Sequence, residues 1–140
     1  MIADFKQLTE KIFTSGRVDE DGFKDLQKMH IKTVINLAPY HAINAFENEK
    51  EVVDRLGFEY IHIPSEFTQP KMEEYFQFEK VFQELLKTDK KVLVHCIANK
   101  RVSSFFYIYF LRNGGDIFNY IDEMWTPDEI WKKFINSFKE

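Results

Sequence analysis

Apolar residues follow two alternating patterns along the chain, short runs and longer stretches with helical spacing. The short runs are rich in β-branched and aromatic residues, which predicts strands over 12–16, 31–37, 58–64 and 92–96. The longer stretches predict helices over 4–11, 19–30, 44–56, 70–88, 99–112, 116–124 and 127–138. Helices that alternate with strands are typical of a layered α/β fold with a parallel sheet.

Two of the predicted strands differ in the position expected for them in the sheet. The run over 92–96 is apolar until His95, which predicts a central strand, whereas the short run over 12–16 predicts an edge strand. The sequence contains no repeat, low-complexity segment or linker. It therefore predicts one α/β domain over 1–140, with a central, mostly parallel sheet of four to five strands flanked by helices.

Residues with capping preferences mark several of the predicted helix ends. Asp19 and Asn44 are predicted N-caps, and Gly57 is predicted to close the helix over 44–56. Residues 126–129 read Thr-Pro-Asp-Glu, a capping box with proline at the first helical position. Apolar residues recur at roughly helical spacing in the helices over 19–30 and 70–88: Phe23, Leu26 and Met29, then Met72, Phe76, Phe82 and Leu86.

Composition narrows the classes of function. The 140 residues carry a net charge of −4 and no Lys/Arg cluster, which argues against a nucleic-acid partner. No apolar run approaches a membrane span, and the N-terminal residues do not resemble a signal peptide. The single cysteine excludes an internal disulfide and a thiol-rich zinc site. We expect a cytoplasmic protein without a membrane partner, because a reactive thiol persists in reducing surroundings.

The segment over 91–103 carries the clearest candidate chemistry, and it reads KVLVHCIANKRVS. Its apolar strand delivers His95 and Cys96 to a short loop that precedes a helix. Such a loop and helix N-terminus form a cradle for anions, because backbone N–H groups and the helix dipole both favour negative charge. Cys96 at this cradle is expected to ionise readily to a nucleophilic thiolate. Arg101 can hold two oxygens of an oxyanion through its planar fork.

At these residues the chain resembles the cysteine-dependent tyrosine and dual-specificity phosphatases. Their signature is His-Cys, five residues, Arg, and then Ser or Thr. Here four residues separate Cys96 from Arg101, as in a bacterial branch of phosphatase-like proteins, and the next hydroxyl is that of Ser103. The segments over 14–16, 31–37 and 57–64 resemble the same branch, in the same order.

The resemblance implies a dual-specificity-phosphatase-like fold and hydrolysis of phosphomonoesters, either protein phosphotyrosine or a small phosphoester, through a phosphocysteine intermediate. Cys96 would attack phosphorus, and His95 would order the loop and help keep the thiolate ionised. Ser103, or less favourably Ser104, would assist breakdown of the intermediate. No metal or cofactor is required. The phosphate would be bound by Arg101 and by the backbone N–H groups of the loop: Ile97, Ala98, Asn99, Lys100 and Arg101.

The resemblance also implies a general acid, which in the family is an aspartate on a loop upstream of the cysteine. No aspartate lies between 55 and 88 here, and Glu66 is the only carboxylate in the loop that follows Pro64. Glu66 is therefore the candidate acid, with an ordinary solvated position as an equal alternative. The loops after two parallel strands should border the same pocket. In the first of them, Tyr40 and His41 are interpreted as simple loop residues in preference to residues that shape the entrance.

The short spacing allows two geometries of the anion loop. Either the loop is one residue shorter and the helix starts sooner, or the arginine has shifted by one helical position. The second case would rotate Arg101 by about 100° away from the anion. Asn99 favours the first case, because asparagine tolerates the left-handed backbone that a tight anion nest needs. Lys100 adds local positive charge, although a solvated loop cation is the preferred interpretation.

Other functions stay open on the sequence. A lone cysteine in an apolar strand is usually a small buried hydrophobe, but His95 before Cys96 and Arg101 after the loop favour the nucleophile. A cysteine at the head of an anion loop also suits a persulfide carrier of the rhodanese kind, for which no general acid is needed. A module that binds phosphate, sulfate or another oxyanion without turnover is a further alternative. The sequence identifies no protein partner.

Overall fold

The computed structural model describes residues 1–114 and 127–139, which form one five-stranded sheet with helices on both faces. The strands are β1 Lys6–Gln7, β2 Ile12–Ser15, β3 Ile31–Asn36, β4 Glu59–His62 and β5 Lys91–His95. The described helices are α1 Glu20–Lys28, α2 Glu49–Arg55, α3 Met72–Leu86, α4 Lys100–Asn113 and α5 Glu129–Asn136. The predicted α/β class and the mostly parallel sheet are confirmed.

The sheet order is β1-β2-β5-β3-β4, with β1 antiparallel to β2 and the other pairs parallel. The predicted central strand, β5, lies in the middle, between β2 and β3. Its last residue, His95, pairs with Ser15 of β2 on one side and with Asn36 of β3 on the other. The carboxyl ends of three strands therefore meet at one edge, where ligands bind in sheets of this kind.

Alternation along β5 builds two hydrophobic cores, one on each face of the sheet. Leu93 packs into the core that contains Phe23 of α1, whereas Val92 and Val94 pack into the core beneath α3 and α4. The second core is strongly aromatic. The ring of Phe78 lies 5.4–5.6 Å, between centroids, from three neighbouring rings: Phe82, Phe105 and Phe106. The many phenylalanines thus fix α3 and α4 against each other and against the sheet.

Several predicted boundaries are confirmed. Asp19 caps α1, where its side chain accepts a hydrogen bond from the Gly22 N–H at 2.9 Å. Gly57 follows α2 with a φ of 81°, the left-handed backbone that its missing side chain permits. The predicted start of the last helix is wrong by two residues: α5 begins at Glu129, so Pro127 is not its first residue, and its N-cap is Asp128, which accepts from the Trp131 N–H. Thr126, predicted as the cap, and the predicted helix over 116–124 lie outside the described residues.

The predicted helix over 4–11 is wrong, and with it the edge position of the strand over 12–16. Lys6 and Gln7 form β1, which pairs with β2, so β2 lies inside the sheet and β1 is the edge. A single isolated helix of that length is marginal in water. Pairing with β2 satisfies the backbone of the segment instead.

Two further predictions about helices are corrected. The helix over 44–56 begins later, at Glu49, and Asn44 is not its cap but a turn residue with a φ of 66°. On α3 the buried stripe is Tyr75, Phe78, Phe82 and Leu85, and the apolar residues beside it stay partly exposed: Met72, Phe76 and Leu86. Both stripes have helical spacing, and packing against α4 and the sheet selects the first. Among the described helices none is long and apolar enough to cross a membrane.

Candidate active site

The anion loop occupies the turn between β5 and α4, at the carboxyl edge of the sheet. Asn99 has a φ of 61° and a ψ of 14°, the left-handed conformation predicted for it, and α4 begins at the next residue. Its side-chain Nδ2 donates to the Asp4 carbonyl at 3.1 Å and lies 3.4 Å from Thr14 Oγ1. The loop is therefore the shorter of the two geometries, in which the helix simply starts sooner.

The end of β2 supports this loop from below. The Arg17 N–H donates to the Ile97 carbonyl at 2.8 Å, and the Cys96 N–H donates to the Ser15 carbonyl at 3.3 Å. Between them, Gly16 lies so close to Ile97 that no side chain fits at this position. The segment over 14–16, noted in the sequence only as part of a resemblance, thus holds the backbone of the anion loop in place.

A cavity of about 440 Å³ opens beside the loop. Its described lining is His41, Ala42, Ile43, Glu66, Phe67, Thr68, Ile97, Ala98, Lys100 and Arg101. The cavity joins the anion loop to the two loops that follow β3 and β4, as the sheet topology predicts.

Arg101 is the principal charge of this cavity. Its side chain lies in the first turn of α4 and is only 7% exposed, and among the described residues its Nε has no hydrogen-bond partner. The guanidinium carbon stands 5.3 Å from the centroid of the Phe67 ring, and the Lys100 ammonium stands 6.0 Å from the same ring. A buried guanidinium with an unused donor is costly unless an anion completes it. The cavity therefore has the charge and the donors of an oxyanion site.

Cys96 lies beneath the loop and is fully buried. The described lining of the cavity includes its neighbours Ile97 and Ala98 but not Cys96 itself. Ser103 and Ser104 are buried on α4, at 2% and 1% exposure. The roles predicted for Cys96 and for both serines remain predictions.

Glu66 and His41 lie next to each other in the cavity wall. The Glu66 Oε1 lies 2.6 Å from His41 Nε2, and both side chains are substantially exposed. The structure thus brings the candidate acid into the same cavity as Arg101, together with His41. Tyr40 behaves differently, because its ring packs at a tilt against the ring of His62, with 4.1 Å between centroids, outside the described lining of the cavity.

The loop that carries Glu66 is anchored by α5. The indole N–H of Trp131 donates to the Phe67 carbonyl at 2.8 Å, and Trp131 itself is fully buried. Its ring also contacts the Phe67 ring, with 5.7 Å between centroids. Sequence reasoning missed this anchor, since nothing in the local sequence of α5 indicates which distant loop its tryptophan meets.

His95 is buried against a carboxylate that the sequence analysis did not identify. Its Nε2 lies 2.8 Å from Glu49 Oε2, and its Nδ1 lies 3.0 Å from the Cys96 carbonyl. Burial by itself would lower the pKa of His95, but the negative charge of Glu49 and hydrogen bonds outweigh it, so this pKa lies above its usual value. Burial would likewise raise the pKa of Glu49, but the charge of His95 and hydrogen bonds from His95 and Tyr60 hold it below its usual value. The two residues form a buried hydrogen-bonded pair directly behind the anion loop, and the directions of both pKa shifts favour its charged form.

The known proteins that resemble this chain are found among solved structures. No protein-family model matches the chain, and no curated protein matches it. Among solved structures, a candidate phosphatase (DUF442) from Shewanella putrefaciens is 28% identical, with a TM-score of 0.85 over 99% of this chain and 92% of that chain. Tk-PTP in its active form is 16% identical, with a TM-score of 0.77 over 96% and 95% of the two chains.

A third similar structure is that of P. aeruginosa TpbA in complex with phosphotyrosine. It is 16% identical and has a TM-score of 0.70 over 96% of this chain and 81% of that chain. The two more distant structures share the fold, and the Shewanella protein shares the fold at closer sequence similarity. The fold of the chain, and with it the loop between β5 and α4, is thus that of the tyrosine and dual-specificity phosphatase superfamily, an assignment that these similar structures support.

Proposed function

We propose that this protein hydrolyses phosphomonoesters through a phosphocysteine intermediate on Cys96. The observation that carries the proposal is the placement of Arg101. It is buried at the start of α4, it lines a cavity next to the cysteine loop, and its Nε is unpartnered among the described residues. Phosphatases and phosphatase-like proteins with the same fold support this general class of activity.

In the first step the Cys96 thiolate attacks phosphorus, so an S–P bond forms while the ester P–O bond breaks. Arg101 and the backbone N–H groups over 97–101 hold the equatorial oxygens, where preorganised donors stabilise the charge of the transition state. Glu66 gives its proton to the departing oxygen. The products of this step are the free alcohol or phenol and a phosphocysteine.

In the second step Glu66, now a carboxylate, takes a proton from water as that water attacks phosphorus. The S–P bond breaks, inorganic phosphate leaves and the thiolate is restored, so both protons are accounted for. Ser103 would donate a hydrogen bond to the sulfur as it regains its charge. Proton transfer by Glu66 is supported by its position on the wall of the cavity that Arg101 also lines.

The substrate proposed is a phosphotyrosine side chain or a small phosphoester. The TpbA variant of similar fold binds phosphotyrosine, which supports a phosphoester ligand in this family. In this chain the cavity offers an apolar wall from Ile43 and Phe67 beside the cations Lys100 and Arg101. That combination suits a dianionic phosphate carried on an apolar or aromatic group.

A second candidate function is oxyanion binding without turnover. It is favoured by one observation, the complete burial of Cys96 beneath a cavity whose described lining does not include it. In that case Arg101 would bind phosphate, sulfate or a phosphorylated partner while the thiol stays structural.

An aryl-phosphate assay separates the two functions. The wild-type protein should release the phenol, while Cys96→Ser and Arg101→Ala should each lose turnover. Arg55→Ala serves as the matched control, because Arg55 lies on α2 and pairs with Glu20 at the surface. Phosphate binding by the wild type without any hydrolysis would favour the binding module and contradict the proposed enzyme.

A further inference from the structure

A chain of hydrogen bonds runs behind the anion loop, through side chains of three neighbouring elements. It starts at the Ala38 N–H, which donates to Asn36 Oδ1 at 2.9 Å. The Nδ2 of Asn36 donates to the Tyr60 hydroxyl at 2.9 Å, and that hydroxyl donates to Glu49 Oε2 at 2.7 Å. The chain therefore leads from the end of β3, across β4, to the first residue of α2.

The other end of this chain is His95. Its Nε2 contacts the same Glu49 oxygen, and its Nδ1 contacts the Cys96 carbonyl. A carbonyl oxygen only accepts hydrogen bonds, so Nδ1 must carry a proton. The protonation of Nε2 then decides whether His95 is neutral or an imidazolium.

The donor directions along these hydrogen bonds indicate where the proton between Glu49 and His95 lies. Because the Ala38 N–H occupies Oδ1 of Asn36, the amide nitrogen faces Tyr60, and the tyrosine proton must point to Glu49. An Oε2 that accepts from Tyr60 is poorly suited to carry a proton of its own. Imidazole is also more basic than a carboxylate. The proton between them consequently lies on Nε2, and His95 is doubly protonated.

The surroundings of His95 agree with this assignment. His95 is 1% exposed and Glu49 is 4% exposed, so neither charge is shielded by water. Burial and the adjacent Glu49 charge raise the pKa of Tyr60 far above its usual value, so Tyr60 stays protonated and remains a donor. From the other elements, the Phe23 ring of α1 meets His95 edge-on, with 6.2 Å between ring centroids, and His62 of β4 is a further, smaller cause of the lowered pKa of Glu49.

We propose that Glu49, supported by Tyr60, is a positioning residue that keeps His95 doubly protonated and thereby prepares the anion loop for ionisation of Cys96. The imidazolium ties the Cys96 carbonyl in place and puts a positive charge behind the loop that carries the thiol, which favours the thiolate. This inference rests on the proposed cysteine chemistry, but it concerns the charge state of the loop and not the turnover.

Glu49 also connects the pair that it forms with His95 to the wall of the cavity. Glu49 begins α2, at the end of the segment over 39–48. The same segment contributes His41, Ala42 and Ile43 to the cavity wall. One ion pair thus joins the wall of the cavity to the base of the loop.

The test uses Glu49→Gln, which keeps the shape and one acceptor but removes the charge. The chain has one cysteine, so thiolate absorbance, corrected with Cys96→Ser, reports on Cys96 alone. The midpoint of thiolate formation should rise by about one pH unit in Glu49→Gln. Tyr60→Phe should raise it less, because the ion pair survives. Glu51→Gln, an exposed carboxylate on the same helix, should leave it unchanged.

A second measurement needs no variant. Nitrogen NMR of the His95 ring in the wild type should show both nitrogens protonated at neutral pH, and it decides the matter if Glu49→Gln does not fold. A single ring proton in the wild type, or an unchanged thiolate midpoint in folded Glu49→Gln, would overturn the proposal. Both readouts are independent of hydrolysis, so a protein that proves inactive on every phosphoester still tests this inference separately.

Discussion

Gly16 lies directly against Ile97 of the anion loop, so close that a methyl group on Gly16 would collide with the Ile97 carbonyl oxygen. The same carbonyl accepts a hydrogen bond from the Arg17 N–H at 2.8 Å, which fixes it in that position. The next loop residue is also near, since Ala98 Cα would stand 3.2 Å from the added methyl. The shape of the anion loop thus depends on a residue some eighty positions away in the sequence.

Gly16→Ala is therefore expected to displace the loop and abolish phosphate binding. Overpacking of this kind typically costs about 1–3 kcal/mol of stability as well. Gly57→Ala is the matched control. It strains a positive φ, at a cost of about 1–2 kcal/mol, but no described atom lies within 4 Å of the added methyl. Calorimetric phosphate titration of both variants should show loss of binding in Gly16→Ala only, and retained binding there would refute the close packing.

Arg101 is expected to carry the oxyanion site whether or not the protein turns over substrate. Phosphate at a hundredfold excess over Kd should stabilise the wild type by about 2.7 kcal/mol and thereby raise its melting temperature. Arg101→Ala should remove this rise, and Arg101→Lys should keep only part of it, because an ammonium lacks the bidentate fork. A full rise in Arg101→Ala, measured by thermal melts against phosphate concentration, would place the site elsewhere.

Glu66 is expected to act as an acid where the leaving group is poor. Glu66→Gln preserves shape and removes the proton, so kcat/KM should fall about 100- to 10,000-fold for phosphotyrosine or alkyl phosphates. The loss should be small for a nitrophenyl ester, which needs little protonation.

Glu73→Gln on the exposed face of α3 provides the control for the assignment of Glu66. Equal losses on both kinds of ester would indicate a structural role for Glu66. No loss on either ester would indicate another proton source. His41, whose Nε2 lies 2.6 Å from Glu66 Oε1, would then be the first residue to substitute.

The buried pair of His95 and Glu49 should make stability depend on pH in a defined direction. The pKa of Glu49 is held below its usual 4.5, so its contribution is present above that pH and is lost as pH falls through the folded value. The pKa of His95 is held above its usual 6.5, so its contribution is complete below that pH and is lost as pH rises through the folded value. The stability difference between wild type and Glu49→Gln should therefore be largest between pH 4.5 and 6.5.

Urea unfolding of both proteins across this range measures that difference. It should shrink on the acidic and the alkaline side. Glu51→Gln, with its exposed side chain, should stay close to the wild type at every pH. A difference between wild type and Glu49→Gln that does not change with pH would contradict a buried ion pair.

The fold could be predicted where local pattern and tertiary contact agree. β5 is apolar throughout its centre, and a strand with both faces buried has to look that way. Asp19 and Gly57 mark helix ends through their own backbone preferences. The residues over 4–11 could not be assigned, because their strand exists only through pairing with β2, which local sequence does not encode.

The residues of the candidate site also fall into two groups, those that could be predicted from one local segment and those that could not. Asn99 and Arg101 could be placed because their roles follow from the geometry of one short loop. Glu49 and Trp131 act across the fold, on His95 and on the Phe67 carbonyl respectively. Their contacts depend on how α2 and α5 pack, so a single sequence gives no signal for them.

The proposed mechanism requires that Cys96 become covalently phosphorylated during turnover. The most direct test is to mix the protein with an aryl phosphate, quench it rapidly in denaturant and measure the intact mass. We expect an added phosphoryl group on the wild type, mapped to Cys96 and absent from Cys96→Ser, with greater accumulation in Ser103→Ala. Hydrolysis without such an adduct, or an adduct that persists in Cys96→Ser and maps to another residue, would contradict this mechanism.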